Sequence, residues 1–265
     1  MNFSFLKRTL SAIILFPLLI FIVLKGSLSL IIGIALVVLI LCWFEWIKLF
    51  DFPLKYFLWG GIILLGALIA LPLIALPFVF FFMLFFSFLP FLFYFERESF
   101  SVDFFPLVGG LFYLMLGFLP IIMLAEKYPR EYLVFFFSVV FATDTGAYLV
   151  GKVFGRTPFF AKISPKKTWE GFLGGVFFAL LTSLLLQKIL FLWSISISLI
   201  IGFVLAITEA CGDLFESAVK RAVGKKDSGA LIPGHGGLLD RIDGVLFASP
   251  CFLFSVEALK NGILN

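Results

Sequence analysis

FVFFFMLFFSFLPFLF, Phe78 to Phe93, contains no charged side chain and a single hydroxyl, Ser87. Its apolar residues neither alternate with polar ones nor follow a one-sided helical stripe, so the segment reads as a helix that is hydrophobic all round. Lipid is the natural solvent for such a helix, because its backbone polar groups are satisfied within the segment. A membrane β-barrel would instead show strict in-out alternation, which is absent.

The rest of the chain has the same character. Of its 265 residues, 62% are hydrophobic, 19% aromatic and only 14% charged, against about 45–50% apolar and about 25% charged in soluble domains. Punctuation by charge, Pro and Gly divides it into about nine apolar segments, near 10–24, 27–47, 56–73, 74–95, 104–125, 131–150, 171–187, 190–210 and 244–262. Each approaches the roughly 20 residues that span a bilayer. The expected fold is therefore an all-α integral membrane protein of about nine transmembrane helices. The separation at Pro72 and Pro77 is its weakest joint, since a single kinked helix there would change the parity. The run from Leu10 to Leu24 follows Lys7 and Arg8 as a signal sequence would, but no small-residue cleavage site follows, so it reads as a retained first helix. Cys42, Cys211 and Cys251 form neither a CxxC pair nor an even set, and read as structural or incidental.

Basic residues fix a handedness for this arrangement. With nine spans, fifteen of the 20 Lys and Arg fall on the side of the N-terminus and five (Lys25, Lys127, Arg130, Lys188 and Lys260) on the other. The positive-inside rule then places the N-terminus in the cytoplasm. Two polar stretches, Asp144–Glu170 and Glu209–Asp243, share that side. The chain is expected to divide into an N-terminal transmembrane region, 1–130, of about five helices and a C-terminal catalytic region, 131–265, with cytoplasmic loops 151–170 and 211–243.

The second stretch interleaves Asp213, Glu216, Asp227, Asp240 and Asp243 with Lys220, Arg221, Lys225, Lys226 and Arg241 around the turn Pro233-Gly234-His235-Gly236-Gly237. Carboxylates hold a hard cation, Lys and Arg neutralise phosphates, and glycines let backbone N–H groups approach phosphate oxygens, so the mixture suits a metal–polyphosphate site. Asp240 and Asp243 lie three apart, on one face of a helix, as if for one ion.

At these positions the sequence resembles the phosphatidate cytidylyltransferases, or CDP-diglyceride synthetases. Their signature, S-x-x-K-R-x4-K-D-x-G-x-x-I-P-x-H-G-G-x-x-D-R-x-D, is matched at every defined position by Ser217, Lys220, Arg221, Lys226, Asp227, Gly229, Ile232, Pro233, His235, Gly236, Gly237, Asp240, Arg241 and Asp243. ATDTGAYLVGKVFGR and SPKKTWEG, within Ala142–Gly171, are similar to a second conserved region of that family. The resemblance implies transfer of a cytidylyl group from CTP to phosphatidic acid, giving CDP-diacylglycerol and pyrophosphate in phospholipid synthesis. It implies Mg²⁺, with room for a second cation, held by Asp213, Asp240, Asp243 and Asp144. Lys220, Arg221, Lys226, Asp227, His235 and Arg241 would join Asp213 in catalysis, and Lys166, Lys167, Ser217, Gly236 and Gly237 would bind substrate. The implied partners are CTP, phosphatidic acid and the bilayer of the inner membrane, with no nucleic acid. A homodimer would fit the short loops but is required by nothing in the sequence.

Plainer readings stand beside these. Asp144 could cap a turn next to Gly146, Glu209 could simply pair with a base, and His235, the only histidine, could order its loop. Lys7, Arg8, Lys48 and Lys55 suit anchors to anionic lipid. A transporter would show polar residues at matching midplane positions in repeated halves, and no repeat is visible. A CDP-alcohol phosphotransferase motif is absent, whereas a CTP-dependent polyprenol kinase is separated from the first reading only by which phosphate of CTP is transferred.

Overall fold

A computed structural model of the chain describes residues 15–70, 76–93, 97–231 and 236–262. Residues 10–14 of the first expected segment lie outside them, as do Pro72 and His235. Nine helices make up the described fold: α1 (Leu15–Lys25), α2 (Leu28–Leu49), α3 (Leu54–Ala70), α4 (Leu76–Phe93), α5 (Arg97–Lys127), α6 (Arg130–Phe154), α7 (Trp169–Leu190), α8 (Ile195–Ala222) and α9 (Leu239–Lys260). They correspond one to one with the nine apolar segments; α3 ends at Ala70 and α4 begins at Leu76, with Pro77 in its first turn. By length and composition six of them are able to cross a membrane: α2, α5 from Asp103, α6, α7, α8 and α9; α1, α3 and part of α4 are shorter apolar helices.

The helices form around two apolar clusters. One gathers α2 to α5 around Trp43, Trp46, Met83, Leu111 and Leu114; the other gathers α6 to α9 around Phe135, Phe136, Leu205 and Phe252. Helix α9 joins them. Leu246 belongs to the first cluster and Val245 to the second, and the Ser249 hydroxyl donates to the Gly117 carbonyl of α5 at 2.5 Å. Large side chains such as Phe177, Ile200 and Phe254 remain exposed on the outside, as expected of a surface that lipid solvates.

The polar loops are shorter than the sequence implied. Helix α8 continues to Ala222 and α9 starts at Leu239, so the described residues of 211–243 outside helices are only 223–231 and 236–238. In α8 the acidic and basic residues recur at helical spacing, and the helix keeps its backbone hydrogen bonds while presenting that polar stripe inward.

Candidate active site

Glu209, Asp213, Glu216 and Lys220 follow one another on α8 at intervals of four, three and four residues, hence on one face. That face meets α9 where two glycines allow backbone contact. A Cβ on Gly212 would stand 2.7 Å from the Asp243 carbonyl oxygen, and one on Gly244 would stand 2.8 Å from Glu209 Cγ. Close helix crossing at small residues thus brings buried Asp243 against the carboxylates of α8.

Beside this crossing, α6, α7 and α8 enclose a pocket of about 390 Å³ lined by Asp144, Lys152, Lys166, Lys167, Glu209 and Asp213, with Tyr148, Phe159 and Phe172 as its aromatic wall. Lys167 Nζ lies 2.5 Å from Asp213 Oδ2, and the Ser217 hydroxyl donates to Asp213 Oδ1 at 3.3 Å. Asp144 feels the charges of Asp213, Arg241 and Lys167, and buried Glu209 those of Asp144, Asp213 and Lys167. Three carboxylates, Asp144, Glu209 and Asp213, thus share one lining with Lys152, Lys166 and Lys167, and Arg241 acts on Asp144.

A short hairpin holds the lysines at the rim. Pro158 and Thr168 form an antiparallel bridge, the Phe159 amide donates to the Lys167 carbonyl at 2.8 Å, and the Phe159 ring stacks on Phe172. The Glu170 carboxylate accepts the amides of Arg156 and Thr157 and the Thr157 hydroxyl, while the Thr168 hydroxyl caps α7 by accepting from Gly171 N. Arg221 Nε donates to the Ile163 carbonyl, which links the hairpin to α8.

Several residues expected to grip phosphate or metal have other partners. Lys220 is buried, with Nζ 2.5 Å from both Glu216 Oε2 and Asp240 Oδ1. Asp240 Oδ2 accepts the amides of Ser228 at 3.0 Å and Gly237 at 2.8 Å. Arg221 also donates to the Lys225 carbonyl. Lys226, Asp227, Lys166 and Arg241 are exposed, and Gly236 has φ +83°, a conformation suited to glycine.

The expectation that Asp213, Asp240 and Asp243 share one ion needs correction. Among the described residues no three His, Cys, Asp or Glu side chains converge closely enough to hold one. Asp240 and Asp243 do lie on one face, but Asp240 sits in the first turn of α9, where loop amides and Lys220 take both its oxygens. Asp243, a turn deeper, feels Asp213 and Glu216, and Glu216 Oε1 is buried without a hydrogen-bond partner. This donor set fits Mg²⁺, which uses one or two carboxylates and completes its shell with substrate phosphates.

Two contributors from the N-terminal half escaped sequence reasoning. Glu45 of α2 is buried and accepts the amides of Leu238 at 2.9 Å and Leu239 at 2.7 Å. Tyr113 of α5 buries a hydroxyl that has no hydrogen-bond partner, within the fields of Asp243, Glu216 and Asp213. An acid inside an apolar run, LCWFEWIKLF, was the available signal for Glu45. Tyr113 left none.

Comparison with known proteins bears on these residues as a set. Residues 6–259 match the cytidylyltransferase family. The chain belongs to this family. Among cytidylyltransferase relatives, it is 52% identical over 127 residues to phosphatidate cytidylyltransferase 4, chloroplastic, of Arabidopsis thaliana, covering 47% of this chain and 32% of that protein. It is 44% identical over 121 residues to a phosphatidate cytidylyltransferase of Staphylococcus epidermidis, covering 45% and 46% respectively. An uncharacterized protein, YnbB, of Escherichia coli K12 is 42% identical over 123 residues, covering 46% and 41%. The matched stretch thus spans about a third to a half of these relatives' length.

Proposed function

We propose that this protein is a phosphatidate cytidylyltransferase, joining CTP and phosphatidic acid into CDP-diacylglycerol with release of pyrophosphate. The observation that carries the reading is the pocket between α6, α7 and α8, where lysines for phosphate and carboxylates for a cation line one cavity at the end of an apolar bundle. The family match and the names of its relatives support it.

In the reaction a phosphatidate oxygen attacks the α-phosphorus of CTP, one P–O bond forms, and the bond to the β-phosphate breaks. The nucleophile is already an anion, so the protein's task is to position two polyanions and offset their repulsion. Lys166, Lys167 and Lys152 are placed to take phosphate oxygens. Lys167 would exchange part of its contact with Asp213 for one with the nucleotide. Asp213 with Asp243 or Asp144 would hold Mg²⁺, which when bound screens phosphate charge and stabilises the leaving pyrophosphate. Lys220 and Asp240 act one layer out, holding the signature loop in shape.

The lipid substrate sets the geography. Diacyl tails gain roughly 0.8 kcal/mol for each CH₂ kept in lipid, so the phosphatidate headgroup would reach the pocket laterally while its tails stay in the bilayer. The basic-residue count supports nine spans with the N-terminus and the pocket facing the cytoplasm, and we place that pocket at an inner membrane. Purified protein should release pyrophosphate from CTP only when Mg²⁺ and phosphatidic acid are both present, with CDP-diacylglycerol appearing by mass spectrometry. Pyrophosphate release that ignores the lipid would contradict the proposal.

A further inference from the structure

Glu45 lies on α2, far from the signature in sequence, yet its carboxylate sits inside the signature loop. Oε1 accepts the Leu238 amide at 2.9 Å, and Oε2 accepts the Leu239 amide at 2.7 Å and the Ser228 hydroxyl at 3.3 Å. Leu238 is the N-cap residue of α9 and Leu239 its first residue, so neither N–H has a partner within the helix. Glu45 thereby ties Ser228, within loop 223–238, to Leu238 and Leu239 where that loop meets α9.

Two glycines of the signature are shaped to this carboxylate. A Cβ on Gly229 would stand 2.5 Å from Glu45 Oε1, and one on Gly237 would stand 2.7 Å from Glu45 Oε2. Neither has a positive φ, so what these positions require is space: for Glu45 at Gly229, and for the Ser228 hydroxyl together with Glu45 at Gly237. The same loop is held from the other side by Asp240, which accepts the Ser228 and Gly237 amides and pairs with Lys220.

We propose that Glu45 is a positioning residue that sets the conformation of Ser228–Gly229, Gly237–Leu238 and the start of α9, and so the placement of Asp243, from the N-terminal half of the molecule. The proposal rests on the cytidylyltransferase reading for its kinetic consequence, but the clamp itself is testable without turnover. Glu45→Gln keeps the size of the side chain while turning an amide NH₂ toward backbone N–H donors, so it breaks the clamp without opening a large cavity.

The experiment compares wild type, Glu45→Gln, Glu45→Asp and Gly229→Ala in detergent by hydrogen exchange of 223–243 and by steady-state kinetics. Faster exchange confined to that segment is expected in Glu45→Gln and Gly229→Ala, with helices α6 and α7 unchanged and the elution profile intact. Turnover should fall roughly tenfold or more in Glu45→Gln, the loss expected when one to two hydrogen bonds at a charged acceptor are broken. Glu45→Asp, which keeps the acceptor charge, should recover part of it. Wild-type exchange in both Glu45→Gln and Gly229→Ala would overturn the clamp. Slowed kinetics with equal loosening of every helix would reduce Glu45 to a general stability residue and overturn its positioning role. Were the wild type to lack cytidylyl transfer, exchange alone would still decide the clamp, while the functional reading failed separately.

Discussion

Lys220 lies in the middle of a phosphate-binding signature and yet touches two carboxylates, Glu216 and Asp240. Removing one partner of a buried ion pair strands the other charges, at a cost of about 3–5 kcal/mol. Lys220→Met should therefore lower the unfolding midpoint in detergent markedly, whereas Lys226→Met, at an exposed position, should leave it unchanged. Equal midpoints in the two variants would show that Lys220 is not structural. Asp243 has the opposite character, because Asn is nearly isosteric and removes a charge from a carboxylate-rich crossing. Asp243→Asn should keep the wild-type midpoint or raise it slightly, and lose turnover by at least about 100-fold, the scale of one electrostatic contributor to a transition state. Substantial retained turnover would remove Asp243 from the cation site. In the sequence the two residues look alike, both charged signature positions. What separates them is which side of α8 and α9 they face, and that depends on where α9 begins.

Among elements, the hairpin 155–168 and the α8–α9 crossing do most to shape the pocket. Thr168 caps α7 and Glu170 ties back Arg156 and Thr157, so Thr168→Ala should cost about 1 kcal/mol of helix-cap energy and weaken CTP binding more than folding. Isothermal titration with CTP and Mg²⁺ would read the first effect, thermal melting the second. Gly212→Val should be far more damaging, since any Cβ there meets the α9 backbone; the expected result is loss of monodisperse protein, and a well-behaved active variant would contradict the close crossing. The helices themselves were plain in the hydropathy, because a long apolar run without Pro or charge has few alternatives in lipid. Their polar ends were not. Residues 213–222 read as loop by composition, yet a helix tolerates charges when they fall on one inward stripe, and the four-three-four spacing of Glu209, Asp213, Glu216 and Lys220 was the only clue.

At the scale of the molecule, contacts join elements that the basic-residue count had placed together. Lys225 after α8 reaches the Lys48 carbonyl and Asp51 after α2, and Arg221 reaches Ile163 before α7. The ends of α2, α6 and α8 therefore share one face, and single cysteines at 51, 164 and 226 should all react with an impermeant maleimide from the same side of oriented vesicles. Reaction of one of them from the opposite side would break that topology. Glu45, in the N-terminal transmembrane region, makes its hydrogen bonds to residues nearly 200 positions away in the chain, so its partners leave no local pattern. The proposed activity finally turns on which phosphate of CTP reaches the lipid. Purified protein with Mg²⁺ and phosphatidic acid should be given CTP labelled at the α-phosphorus in one reaction and at the γ-phosphorus in another. Label from the α position in the organic phase, with γ label recovered only as pyrophosphate, is the predicted result; γ label in the lipid would identify a kinase and contradict cytidylyl transfer.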